Sequence, residues 1–197
     1  ESIGVSGVES TQTLNMATTA LNMELEASQQ LTADLSLASA ELFGDQEKLG
    51  KEFRASLSTL AVYGKEAKKV FLGVAAAAKA AGMETSDLLG ITEQFDTFQG
   101  AAEAVSGLNA ILGGQYLNSL DLVGKSEDER IRTLIGTMEA ANMSFDSLSK
   151  FEQKAIAAKL GITDMAKANQ LFSMSAAEMD SQLAKVEGLK MTDEKLK

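Results

Sequence analysis

The sequence contains no proline, cysteine, histidine or tryptophan. At average usage about ten prolines would be expected in a chain of this length. An interior proline costs a helix about 3 kcal/mol or more, so their absence leaves long helical runs uninterrupted. Without cysteine and histidine there is no thiol nucleophile, imidazole base, Cys/His zinc site or disulfide framework. Aromatic residues make up only 5%. No apolar run approaches the ~20 residues of a membrane-spanning helix; "VFLGVAAAAKAAG" is short and carries Lys79. The opening "ESIGVSGVES" has neither the basic nor the apolar region of a signal peptide. The chain begins on Glu1 rather than Met, and a piece of a longer polypeptide is expected.

What is present is rich in Ala, Leu and Met, with 45% hydrophobic residues and a formal net charge of −10. This composition favours thin helix-on-helix packing. The acidic balance opposes nucleic-acid binding, which depends largely on phosphate neutralisation by Lys and Arg. The expected fold is all-α: an elongated helical array with a long N-terminal coiled-coil-like helix followed by several shorter helices. The expected organisation is a flexible lead-in over 1–9, long helices over 10–82, and a bundle of shorter helices over 83–197.

The N-terminal pattern carries the coiled-coil expectation. Leu14, Leu21, Leu35 and Leu42 fall on a seven-residue spacing, with Ser28 at the skipped position. Ala17, Leu31 and Ala38 supply the companion positions, where Glu24 is the exception. The spacing predicts one helix of about 30 residues and about 45 Å from Ser10 to Phe43, stopped by Gly44. Those four leucines are the candidate self-association seam.

Further on, a helix is expected from about Asp45, kinked or split at Gly64 and stopped at Gly82. Ser86 is the expected cap of the next. Its face runs through Leu88, Ile91, Phe95, Phe98, Ala102, Val105 and Leu112, with a break near Gly100 and closure at Gly113-Gly114. A loop or short turn should fill 115–125. Ser126–Glu129 and Ser175–Glu178 read as capping boxes, and Asp146 or Ser147 as the cap between them.

"KAIAAKLGITDMAKANQLF" (Lys154–Phe172) has the cadence of a DNA-reading helix-turn-helix. However, Lys167 and Gln170 stand where apolar residues should seat its second helix, and Asp164 would meet phosphate unfavourably. An architectural corner is the better reading. The carboxylate group Glu127, Asp128 and Glu129, like Glu24 and Glu26, suits capping or a solvated face rather than acid–base work. "SEDERIRTL" and "GITDMAKANQLF" lack the pattern of a calcium loop. Gly113-Gly114 lacks the following Lys of a phosphate loop. Lys65, Lys68 and Lys69 form one small basic cluster, read as a solvated face. The nine methionines fit core filling better than an adaptable binding surface. The expectation is therefore no enzyme, no catalytic residues, no cofactor and no metal.

Three stretches, "FDTFQGAAEAVSGLNAILGG" (Phe95–Gly114), "LDLVGKSEDERIRTL" (Leu120–Leu134) and "FDSLSKFEQKAIAAKLGI" (Phe145–Ile162), resemble the phage tail tape measure family. The resemblance spans roughly half the chain and fixes no site residues. It implies a virion structural protein located in the tail-tube lumen or at its baseplate end. Such a protein sets tail length during assembly and is ejected ahead of the genome. Its implied partners are tail-tube and baseplate hub proteins and further copies of itself, with three often inferred. No sequence-specific nucleic acid or small-molecule substrate is expected. A soluble helical adaptor that takes one partner helix in a Met-lined groove is the alternative.

Overall fold

The computed structural model describes residues 7–194. Most of the lead-in expected over 1–9 lies outside them, and helix already begins at Gly7. Among the described residues all regular structure is helical, with no strand. The chain forms two compact units: Ala80–Met179, and the stretches on either side of it, up to Lys79 and from Asp180 onward. The first division lies three residues before the expected one, but the C-terminal stretch joins the N-terminal unit.

In the first unit α1 (Gly7–Ala20) and α2 (Leu25–Phe43) replace the single long helix expected from Ser10 to Phe43. The chain breaks at Leu21–Glu24, where Asn22 takes a left-handed φ of 50°. Asparagine tolerates that region better than any residue except glycine. Just before the break, the Thr18 and Thr19 hydroxyls donate to the Leu14 and Asn15 carbonyls, an alternative pairing that weakens a helix end. Thr18 also donates to Ser28 across the turn at 3.1 Å, so α1 runs back antiparallel along α2. Closing the hairpin buries Ala17, Leu21, Leu31, Leu35, Ala38 and Leu42 within the chain itself. Apolar burial that a coiled coil would draw from a sister chain is thus supplied locally.

Gly44 stops α2 in the left-handed conformation, its N–H donating to Ala40. The buried Ser39 hydroxyl then donates to the Asp45 carbonyl and accepts the Leu49 N–H, fastening the loop into α3 (Lys48–Ala55). This helix begins three residues later than expected. Next come α4 (Leu57–Leu60) and a 3₁₀ stretch, Ala61–Glu66, broken at Gly64, where φ 50° and ψ −118° suit only glycine. The expected split therefore falls at Gly64. α5 (Ala67–Ala81) follows, with every residue from Val70 to Ala78 buried. Phe53 meets Phe71 edge to face at 5.1 Å in this core, and Val186 of α12 (Ala176–Glu194) joins it.

The second unit contains α6 (Thr85–Thr92), a 3₁₀ turn Glu93–Phe95, α7 (Phe98–Leu112), α8 (Ser119–Val123) and α9 (Glu127–Ala140). After a second 3₁₀ turn, Phe145–Ser147, come α10 (Lys150–Lys159), α11 (Met165–Ser173) and the first residues of α12. The expected break near Gly100 comes at Asp96–Thr97, because Thr97 caps α7 by accepting the Gly100 N–H at 3.1 Å. Glycine is required there: a Cβ at position 100 would lie 2.4 Å from the Gln94 carbonyl oxygen. The cap of α6 is the Glu84 position, with Ser86 inside the helix, and Ser149 rather than Asp146 or Ser147 caps α10. The capping boxes at Ser126 and Ser175 form as read from the sequence.

Candidate functional site

The four seam leucines separate into two environments. Leu21, Leu35 and Leu42 lie in the core of the first unit. Leu14 is half-buried and lines an open groove of about 290 Å³ on the α1–α2 hairpin. Ser10 and Thr11 of α1 and Gln29, Thr32, Ala33 and Ser36 of α2 complete the lining. It contains no methionine, unlike the expected adaptor groove; Met83, Met138, Met174 and Met179 are core residues instead. The Ser36 hydroxyl is buried and has no protein hydrogen-bond partner. A narrower cleft shares Ser10, Thr32 and Ser36 with this groove and reaches Arg54, whose guanidinium donates to Thr13 at 2.6 Å.

The hairpin's charge is one-sided. From Gly7 to Phe43 there are five carboxylates and no lysine or arginine, whereas positions 48–197 are close to balanced. Glu24, Glu26 and Glu41 are exposed, and Asp34 is buried against Lys68 at 2.5 Å. This asymmetry was present in the sequence but is diluted in the whole-chain charge. Of the small basic cluster, Lys68 is committed to Asp34, while Lys65 and Lys69 are exposed as read.

In the second unit the helix-turn-helix cadence is reproduced as α10, a turn with Gly161 at φ 67°, and α11. The contacts of α11 follow a different logic from groove reading. Ala168 and Leu171 are buried, Lys167 pairs with Asp87 at 2.7 Å, and Gln170 donates to the Gly82 carbonyl. Asp87 beside Lys167 holds its ammonium above the usual lysine range. The two residues that were wrong for a DNA reader thus fasten the corner to the start of the same unit.

Arg130, which no sequence motif singled out, makes five side-chain hydrogen bonds. It is buried on α9 and donates to the carbonyls of Leu122, Val123, Thr92 and Phe95, and to Asp96 Oδ1 at 2.6 Å. Glu127 lies one turn earlier, 3.7 Å away and equally buried. The guanidinium therefore gathers the carbonyl ends of α6, the following 3₁₀ turn and α8, where helices leave acceptors unsatisfied. An arginine next to a capping box was a visible signal, but three of its acceptors, on Thr92, Phe95 and Asp96, lie more than 30 residues away. Asn109 plays a smaller part: its amide donates to the Leu117 carbonyl and accepts the Tyr116 and Leu117 N–H groups.

The carboxylates at the start of α9 are absorbed by structure. Glu129 accepts the Ser126 N–H, and Asp128 accepts the Ser126 hydroxyl. Partial burial pushes the Asp128 carboxyl above the usual aspartate range despite that bond. Among the described residues no group of three or more acidic side chains is placed to hold a metal ion, and no helix is long and apolar enough to cross a membrane. No protein family, characterised protein or solved structure matches the chain.

Proposed function

We propose that this chain is a non-enzymatic structural segment of a phage tail tape measure protein, acting through helix surfaces that meet neighbouring tail components. The observation that carries the reading is where the three family-like stretches fall. Phe95–Gly114, Leu120–Leu134 and Phe145–Ile162 all lie in the second unit and supply much of its core, including Phe95, Leu108, Leu122, Leu134, Phe145 and Ile156. The same stretches leave Phe98 59%, Leu120 68% and Phe151 81% exposed. Each therefore joins an inward apolar set to an outward apolar side chain, as a segment meant for neighbours would. On this reading the partners are tail-tube and baseplate hub proteins together with further copies, and the location is the tail lumen or its baseplate end.

The decisive test is a ruler experiment in the phage that encodes the chain. Removing the segment in frame should shorten the tails, measured by electron microscopy, by less than about 1.5 Å for each residue removed, because folded-back helices span less than a continuous rod. Tails of unchanged length would overturn the reading. A second measurement addresses the exposed side chains: Phe98→Ser with Phe151→Ser should leave the melting temperature nearly unchanged and reduce assembly of full-length tails. Normal assembly would remove their proposed role.

A further inference from the structure

We propose that the groove between α1 and α2 receives a helix from a different protein, one whose apolar edge is flanked by lysine or arginine. The inference does not rest on the tail assignment. Four observations carry it.

The groove is open, about 290 Å³, and is floored by Leu14 and Ala33 among small hydroxyl-bearing residues. Its lining comes from two antiparallel helices, so it runs along them and suits a third helix laid between them. The Ser36 hydroxyl on its floor is buried without a protein partner, an unusual state for a side chain that could bond its own helix. Finally, the hairpin's segment contains acids and no base. Glu26 lies three and seven residues before Gln29 and Ala33, at one end of their stripe, and is exposed.

This charge pattern selects the occupant. A second hairpin seated on the first would set one all-acidic segment against another, which Coulomb repulsion disfavours. Lys68 is engaged by the buried Asp34, which leaves Glu24, Glu26 and Glu41 exposed on the hairpin, and the still-charged Arg54 guanidinium donates to Thr13 in the adjoining cleft. A helix presenting Leu or Ala at three- and four-residue spacing would fill the apolar floor. Flanking lysines would then meet the acidic field of the hairpin, with Glu26 at one end of the groove.

The probe is a fluorescein-labelled 18-residue helical peptide with Leu and Ala on one edge and Lys on both flanks, titrated with the full 197-residue chain. Its partner probe has every Lys replaced by Glu. The lysine peptide should bind, weaken at least tenfold between low and physiological salt, and outbind the glutamate peptide by at least tenfold. Ala33→Trp, which fills the groove, should cost at least tenfold in affinity. Gln29→Lys, at an exposed position, should weaken the lysine peptide and narrow its advantage without any packing change. Circular dichroism melts establish that both variants fold. Equal binding of the two peptides, absence of binding by the lysine peptide, or affinity unmoved by both substitutions would overturn the proposal. Concentration-dependent association of the chain alone, abolished by Ala33→Trp in sedimentation experiments, would identify a second copy as the occupant and also overturn it. Tail length in the ruler experiment is untouched by any of these outcomes.

Discussion

At the residue scale, Arg130 ties the ends of α6, the 3₁₀ turn after it and α8 to α9. Its five donors face four carbonyls and a carboxylate, and the buried Glu127 beside it depends on its charge. Removing one member of a buried ion pair costs about 3–5 kcal/mol, because the remaining charge is left uncompensated. Arg130→Met should therefore destabilise the second unit by about that amount, measured as loss of amide-exchange protection in α9. Arg130→Lys should recover little, since a point charge cannot span acceptors set around a planar fork. The capping carboxylates give a pH-dependent counterpart. The Ser149 hydroxyl and N–H hold Glu152 below the usual glutamate range, and the Ser175 N–H and hydroxyl do the same for Glu178. A lowered folded-state pKa gives stability that is present above the ordinary glutamate range and lost as pH falls through the lowered value. Acidification should thus fray the first turns of α10 and α12 at a pH below the titration of ordinary glutamates. Carboxyl chemical shifts followed by NMR should show the two low midpoints, and Ser149→Ala should return that of Glu152 upward. Asp128 should titrate on the opposite side, above ordinary aspartates, because the fold desolvates it.

At the element scale, the turn at Leu21–Glu24 distinguishes a hairpin from a rod. In a continuous helix Asn22→Gly would cost a few tenths to 1 kcal/mol and Asn22→Ala would stabilise. With Asn22 at φ 50°, the signs reverse: glycine should be neutral or favourable, and alanine should cost about 1–2 kcal/mol. Denaturant unfolding of the two variants decides between them. The residues that interrupt the heptads, Glu24 and Ser28, stand at the turn and just beyond it, so the break was written in the pattern. What the pattern could not specify was the partner: a seven-residue spacing of leucines is satisfied equally by a sister chain or by the preceding helix folded back. Helix stops were more legible. Gly44, Gly82 and Gly113 all take positive φ at expected ends, because few other residues enter that region cheaply. The caps at Thr97 and Ser149 were missed because several hydroxyl and carboxylate residues lay within three positions, and local sequence alone does not choose among them. The groove was illegible for a different reason, since its two walls come from helices that had been read as one.

At the scale of the whole molecule, the seam leucines predict different outcomes for their substitutions. Leu35 is buried in the first unit, so Leu35→Asp places a charge in an apolar core and should cost more than about 4 kcal/mol, seen as loss of that unit's helical signal on melting. Leu14→Asp, at the groove, should leave the unit folded. A folded Leu35→Asp variant altered only in oligomeric state in sedimentation experiments would return that side chain to an intermolecular seam. The all-α class was readable from composition and spacing, as were most helices of the second unit, but Ser119–Val123, within the expected loop or short turn, is helical. The two-unit division was half readable. Gly82 marked its neighbourhood, but nothing local showed that residues from Asp180 onward turn back to the first unit.

That return has a consequence for the order in which the molecule is made. Val186, from the last helix, sits in the same core as Leu35, Phe53 and Phe71. A ribosome releases the N-terminal helices first, yet their core lacks this side chain until nearly all the following residues have emerged. The middle of the chain, by contrast, forms a compact unit that is complete at Met179. The portion begun earliest is therefore the last to be finished, and a nascent chain stalled near that point should carry a protease-resistant centre with an N-terminal flank still open to cleavage.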